Sequence, residues 1–235
     1  MNLFQKIILG ICALCLIVPA VAHAVVINEI RIDDDGADND EYFELAGTPG
    51  QSLDGYTYLV IGDGAGGSGV IENVTDLTGQ SIQADGFLAV HKSGTVGDCT
   101  GYDVDLALNF ENSDNVTHLL VTGFTGTNGD DLDIDDDGVL DATPWSTIED
   151  SVAFIETVGS GDLVYSSTQV GPDGSHVPGH IFRCGSTWQI GPFGASGEPV
   201  CSVASGTLDT PGADNSPSCT IPSEETSWGA MKSRF

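Results

Sequence analysis

Val25-Val26-Ile27-Asn28-Glu29-Ile30-Arg31 reads as a β-strand: it is short, rich in β-branched residues, and runs into an Asp/Gly-rich turn. Five further segments repeat this pattern, at residues 41–46, 56–61, 86–91, 116–122 and 151–156. Each is β-branched or aromatic and bounded by turn residues. Nothing after residue 24 sustains a helical period, and the chain carries 31 Gly. The expected fold class is therefore all-β, with a β-sandwich as the natural architecture.

Residues 1–24 read as a cleavable export signal. Lys6 provides a short positive region, residues 7–21 an apolar core, and Ala22-His23-Ala24 the small residues of a cleavage site. Cleavage after Ala24 leaves 211 of the 235 residues, enough for one domain with a proper core. Lys6 is the only charge removed, so the net charge moves from −29 to −30. A surface this negative repels polyanions, which disfavours nucleic acid and anionic membranes as partners, and no membrane span is expected after signal removal. The expected location is secreted, extracellular or at the cell surface.

Cys99, Cys184, Cys201 and Cys219 remain after the signal. An even count in an oxidising compartment predicts two disulfides, and three pairings are open. Cys184 with Cys201 is preferred because it closes a short loop, leaving Cys99 with Cys219. Zinc is the competing use, but no two of these cysteines have C-x-x-C spacing.

Residues 123–148 form the longest break between predicted strands and contain Asp133-Ile134-Asp135-Asp136-Asp137-Gly138-Val139-Leu140-Asp141. Asp133, Asp135, Asp137 and Asp141 occupy the first, third, fifth and ninth positions of a calcium loop, with Gly138 at the sixth. Alternate carboxylates repel one another without an ion, and a hard oxygen-seeking cation such as Ca²⁺ resolves that conflict. Position twelve, where a bidentate Glu is usual, is Pro144; Asp131, Glu149 or Asp150 could close the set. The competing reading is a solvated acidic loop. Bound metal would supply the order that local hydrophobic contacts do not. Asp33, Asp35, Asp38 and Asp40 form a possible second metal cluster, or a charged hairpin loop.

Other motifs read as structural. Gly62-x-Gly64-x-x-Gly67 lacks a following helix and is expected to be a flexible hairpin loop. Ser113-Asp114-Asn115 is a turn. His176 and His180 are expected in a surface loop, since Pro178 and Gly179 oppose a helix there. Trp145 and Trp188 are expected to anchor the core or its loops.

Three blocks in order, Val26-Ile27-Asn28-Glu29-Ile30, Asp40-Glu41-Tyr42-Phe43-Glu44-Leu45 and Leu53-Asp54-Gly55-Tyr56-Thr57, resemble the opening of a lamin tail domain. Thr210-Pro211-Gly212-Ala213-Asp214-Asn215 is similar to its Thr-Pro-Gly-x-x-Asn close. Gly47 departs from the pattern by standing where Asn is customary. The resemblance covers about residues 25–216 and leaves 217–235 as a polar linker and tail. It implies an immunoglobulin-like β-sandwich, a binding or anchoring module without catalytic residues, in which Glu29 and Glu44 bond backbone amides or cap turns. The expected function is an exported, calcium-binding module with a binding, adhesive or structural role toward an unknown protein or glycan partner. A metal-dependent hydrolase of the nuclease or phosphodiesterase type, using the acidic clusters, is the alternative, and oligomeric state is left open.

Overall fold

The computed structural model describes residues 24–33, 39–64, 66–95, 99–193, 209–216 and 219. Residues 1–23 of the expected export signal, the expected tail apart from Cys219, Cys201, and Asp35 and Asp38 of the first acidic cluster lie outside them.

Among the described residues eleven strands make two sheets, and no helix occurs. They are β1 (Val26–Arg31), β2 (Tyr42–Ala46), β3 (Tyr56–Gly62), β4 (Val70–Asp76), β5 (Phe87–Lys92), β6 (Val104–Leu106), β7 (Val116–Thr122), β8 (Thr147–Phe154), β9 (Gln169–Val170), β10 (His180–Cys184) and β11 (Thr187–Ile190). One sheet runs β11-β10-β1-β2-β5-β6, the other β4-β3-β7-β8-β9. Pairing is antiparallel except at β5 with β6 and β8 with β9. The chain is all-β with the two-sheet layering of a sandwich.

The core between the sheets holds Ile27, Ile30, Phe43, Leu45, Tyr58, Val60, Leu88, Val90, Val116, Leu120, Val152, Phe154 and Ile181. The Phe43 and Tyr58 rings stack across it with centroids 3.8 Å apart. Tyr58 also bonds His118 Nδ1 at 2.8 Å, which gives the buried phenol a polar partner. Burial holds the His118 imidazole far below its usual range, at about 3, so this core histidine is neutral.

Strands of a two-sided sheet bury alternate residues on opposite faces. In β3, Tyr58 and Val60 enter the central core, while Leu59 and Ile61 join a second core with Ile71, Leu119, Val121 and Leu132. That second core lies on the outer face of the five-stranded sheet. Phe124, Leu140, Trp145 and Tyr165 pack against it. The long 123–146 connection therefore carries its own apolar anchors. Its order does not depend on metal alone, contrary to the sequence expectation.

The outer face of the six-stranded sheet is buried and polar. A register shift between Ile27 and Glu29 makes Asn28 an extra residue in β1. Ile27 and Ile30 can then both face the central core, while Glu29 and Arg31 turn to the opposite face. Residues 209–216 cover them. Glu29 accepts the Tyr42 hydroxyl at 2.6 Å, His180 Nε2 at 2.8 Å, and both the amide and hydroxyl of Thr210. Asp209 takes the Arg31 guanidinium through both oxygens. Glu44 accepts the Gly212 amide at 2.6 Å, and burial followed by the Glu29 charge pushes its carboxyl well above the ordinary range. Asn215 ties this strap to the carbonyls of Asn28 and Arg183.

Two expectations are corrected here. His180 is fully buried in β10 rather than in a surface loop, whereas His176 is exposed in a turn. Cys184 pairs with Cys219, not Cys201, at a Cα separation of 5.4 Å. The end of β10 lies beside the strap, so the topology selects a closure of 35 residues over a shorter one. Cys99 is also disulfide-bonded.

Candidate metal centre

The acidic loop is built against the edge of β4. Ile71 donates its amide to the Asp130 carbonyl at 2.9 Å, and Leu132 donates to the Gly69 carbonyl at 3.0 Å. Residues 129–132 thus cap the edge strand, placing Asp133 at the start of a tight turn. Asp136 takes the left-handed conformation with φ 52°, and Gly138 follows with φ 87°. Closure comes from the Asp141 amide, which bonds the Leu132 carbonyl at 2.7 Å.

Asp133 organises the turn. Its Oδ1 accepts the Asp137 amide at 3.2 Å, and its Oδ2 accepts the Gly138 amide at 2.9 Å and the Tyr165 hydroxyl at 2.8 Å. Burial pushes the carboxyl upward, but these three donors outweigh it and hold it below the ordinary range. Asp135 moves the other way. Repulsion from Asp137, then desolvation, then the charges of Asp141 and Asp133 raise it. Oxygens of Asp133, Asp135 and Asp141 all lie within 4.8 Å of one another.

The remaining predicted ligands are placed differently. Asp137 bonds the Val139 amide at 2.8 Å within the same turn and is not in the converging trio. Asp131 accepts the Asp133 amide at 3.2 Å. Asp150 is a correction: its Oδ2 accepts the Ile27 amide at 2.8 Å and pairs with Arg183 at 2.6 Å, so it links β8 to β1 and β10 and does not close the loop. Asp33 and Asp40 belong to no converging group of acids among the described residues.

Gly66, Gly67 and Gly69 of the β3–β4 connection abut this loop. A Cβ on Gly66 would fall 2.9 Å from an Asp131 oxygen, and one on Gly67 would fall 2.6 Å from Asp136 Oδ1. On Gly69, with φ 95°, it would meet the Asp133 Cβ at 2.6 Å and its backbone nitrogen at 2.9 Å. The segment is the β3–β4 hairpin connection, as expected, and its glycines leave room for the acidic turn's side chains and, at Gly69, for its backbone. Gly69→Ala is therefore expected to displace Asp133 without removing a carboxylate. Calcium titration and melting of the variant check this; unchanged affinity would detach the hairpin from the site.

Sequence reading missed two constellations whose members are far apart along the chain. Glu29, His180 and Asp209 form the buried network under the strap, in which Arg31 supplies the cation. Asp63, Asp114 and Asp162 converge from three separate segments. Beside this trio is Glu72, the extra residue at a register shift between β3 and β4. One Glu72 oxygen is buried without a partner. Burial, then Glu111, Asp63 and Asp114, raise its carboxyl from 4.5 to about 7.

That shift has a sign. Below pH 4.5 Glu72 is protonated in both folded and unfolded chains and costs nothing. From 4.5 to 7 only the folded state holds the proton, so stability falls as pH rises through this window. Discounted for the solvent-facing part of the side chain, the loss is about 1–2 kcal/mol. Glu72→Gln is expected to raise the melting temperature at pH 8 by roughly 2–6 °C and to flatten the profile between pH 4.5 and 7. Equal profiles for the two proteins would show that the penalty is absent.

No family model matches the chain, and no curated protein or solved structure matches it either.

Proposed function

We propose that this chain is an exported, calcium-binding β-sandwich module of the lamin-tail type, with a binding, adhesive or structural role at the cell surface or outside the cell. The observation that carries the reading is the convergence of Asp133, Asp135 and Asp141 on one turn, with no basic side chain beside them among the described residues. Every basic side chain among the described residues is engaged elsewhere: Arg31 with Asp209, Lys92 with Glu41, and Arg183 with Asp150. A divalent ion with oxygen ligands would offset the repulsion that these described side chains leave in place. Asp133 and Asp141 are already held in place by backbone bonds, so little of the site must be ordered on binding. The ion would rigidify the exposed turn and fix the surface it offers to a protein or glycan.

The same commitment of the basic side chains argues against phosphodiester hydrolysis, which calls for a positive clamp on the phosphate as well as metal. Calcium titration of the metal-stripped mature protein by calorimetry, with melting followed in parallel, tests the proposal. Saturable binding and a higher melting temperature are expected. No binding at millimolar calcium would reduce the trio to a solvated acidic turn.

A further inference from the structure

A second site lies at one end of the sandwich, apart from the acidic turn. A cavity of about 450 Å³ opens there, lined by Asp33, Asn112, Glu156, Asp173, His176, Val177 and Phe193. Its walls come from the end of β1, the approach to β7, the end of β8, and the turns on either side of the last hairpin. The framework is fixed by backbone bonds. The Ile32 and Asp33 amides bond the Gly179 carbonyl, Asp173 and His176 exchange amide bonds, and Arg31 holds the carbonyls of Asp33 and Phe193. Asn115, nearly fully buried, accepts the Glu156 amide at 2.7 Å and the Thr157 amide at 3.1 Å. The cavity is thus preformed, as small-molecule sites usually are.

Its chemistry selects the occupant. Among the described residues the lining carries the carboxylates of Glu156 and Asp173, besides Asp33 at its edge, and no Lys or Arg, so a cation is favoured. The volume is roughly fifteen times the ~30 Å³ that one water occupies in the liquid, far more than a bare ion fills. Moreover, none of these acids belongs to the sets that bring oxygens within 4.8 Å of one another among the described residues. The charges are spread around a space instead of focused on a point. Val177 and the Phe193 ring, which is 40% exposed, add apolar surface between them. Spread negative charge with an apolar wall suits several ammonium groups joined by methylenes that lie along that wall.

We infer that this cavity binds an alkyl di- or polyamine, with Glu156 and Asp173 taking its ammonium groups and Phe193 and Val177 its carbon chain. The site is independent of the calcium turn. In a protein of net charge −29, diffuse attraction of any polycation is the competing explanation, and the test must separate the two.

Spermidine is titrated into the mature full-length protein by calorimetry, in excess calcium so that the acidic turn cannot compete. Saturable binding of one spermidine per chain is expected. Glu156→Gln with Asp173→Asn is expected to weaken it at least tenfold, and Phe193→Ala, which removes no charge, to weaken it several-fold. The single Asp173→Asn, at an exposed position, is expected to show part of the loss in a chain whose melting is unchanged. Asp135→Ala, in the calcium turn, is expected to leave it intact. Non-saturating uptake, or binding indifferent to Phe193→Ala and to the paired variant, would overturn the assignment in favour of diffuse screening. Sensitivity to Asp135→Ala would move the site to the acidic turn. Loss of calcium binding with spermidine binding retained would remove the proposed function and leave this one standing.

Discussion

Asp209→Ala is expected to be among the most destabilising single substitutions in this protein, at about 3–5 kcal/mol. Asp209 is 2% exposed and Arg31 is fully buried. Removing the carboxylate leaves the guanidinium without its bidentate partner, in a layer sealed by the strap. The carbonyls of Asp33, Pro192 and Phe193 still accept from it, but none carries a charge. A whole domain is stable by only about 5–15 kcal/mol, so the variant would melt much earlier or accumulate partly unfolded. Urea unfolding of the single variant, of Arg31→Met and of the double variant completes the test. The double variant is expected to lose less than the sum of the singles, because it removes both members of the buried ion pair and leaves neither charge facing the loss of the other. Strict additivity would show that the strap is held by its neutral bonds instead, through Thr210, Gly212 and Asn215.

This layer was the least legible part of the sequence. Strands β3 and β7 announce themselves, since Tyr58-Leu59-Val60-Ile61 and Leu119-Leu120-Val121 are buried on both faces and so read as continuous apolar runs. Strand β10 does not, because His180 and Arg183 look like surface residues until the strap is in place. The bond between Glu29 and Thr210 spans 181 residues, and no local pattern carries such a pairing. The resemblance of 210–215 to a domain close marked the segment, yet not its contact with His180. The cysteine pairing failed for a related reason. Short loop closure was the only available criterion, whereas strand order sets which sulfurs meet. Strand β4 was missed because an acidic residue, Glu72, interrupts it at a register shift, and its glycine-rich approach read as a loop.

The acidic turn was legible in spacing, since Asp133, Asp135 and Asp141 do converge. What spacing could not show is that these carboxylates hold different positions in the energetics. Asp133 is a fully buried acceptor for two amides and a hydroxyl. Asp135 is exposed and is raised by Asp137, desolvation and the other acids around it. Removing either is expected to cut calcium affinity by more than about tenfold, the effect of some 1.4 kcal/mol of lost binding free energy.

Without metal, the two variants are expected to diverge. Asp133→Ala orphans the Gly138 amide and the Tyr165 hydroxyl and takes one acceptor from the Asp137 amide, so its apo form is expected to melt below the parent and the second core to loosen where Tyr165 packs. Asp135→Ala removes mainly repulsion, which outweighs the one bond Asp135 takes from the Asp137 amide, so its apo form is expected to melt at or above the parent temperature. Calcium at a hundred times the dissociation constant stabilises the folded state by about 2.7 kcal/mol, roughly 5–10 °C in a chain of this size. The parent is expected to gain that shift, whereas Asp135→Ala is expected to lose it while keeping its apo stability. Melting with and without calcium for all three proteins decides the matter. If Asp135→Ala melted below the parent without metal, the turn would not be under electrostatic strain, and the case for a cation resolving it would fall.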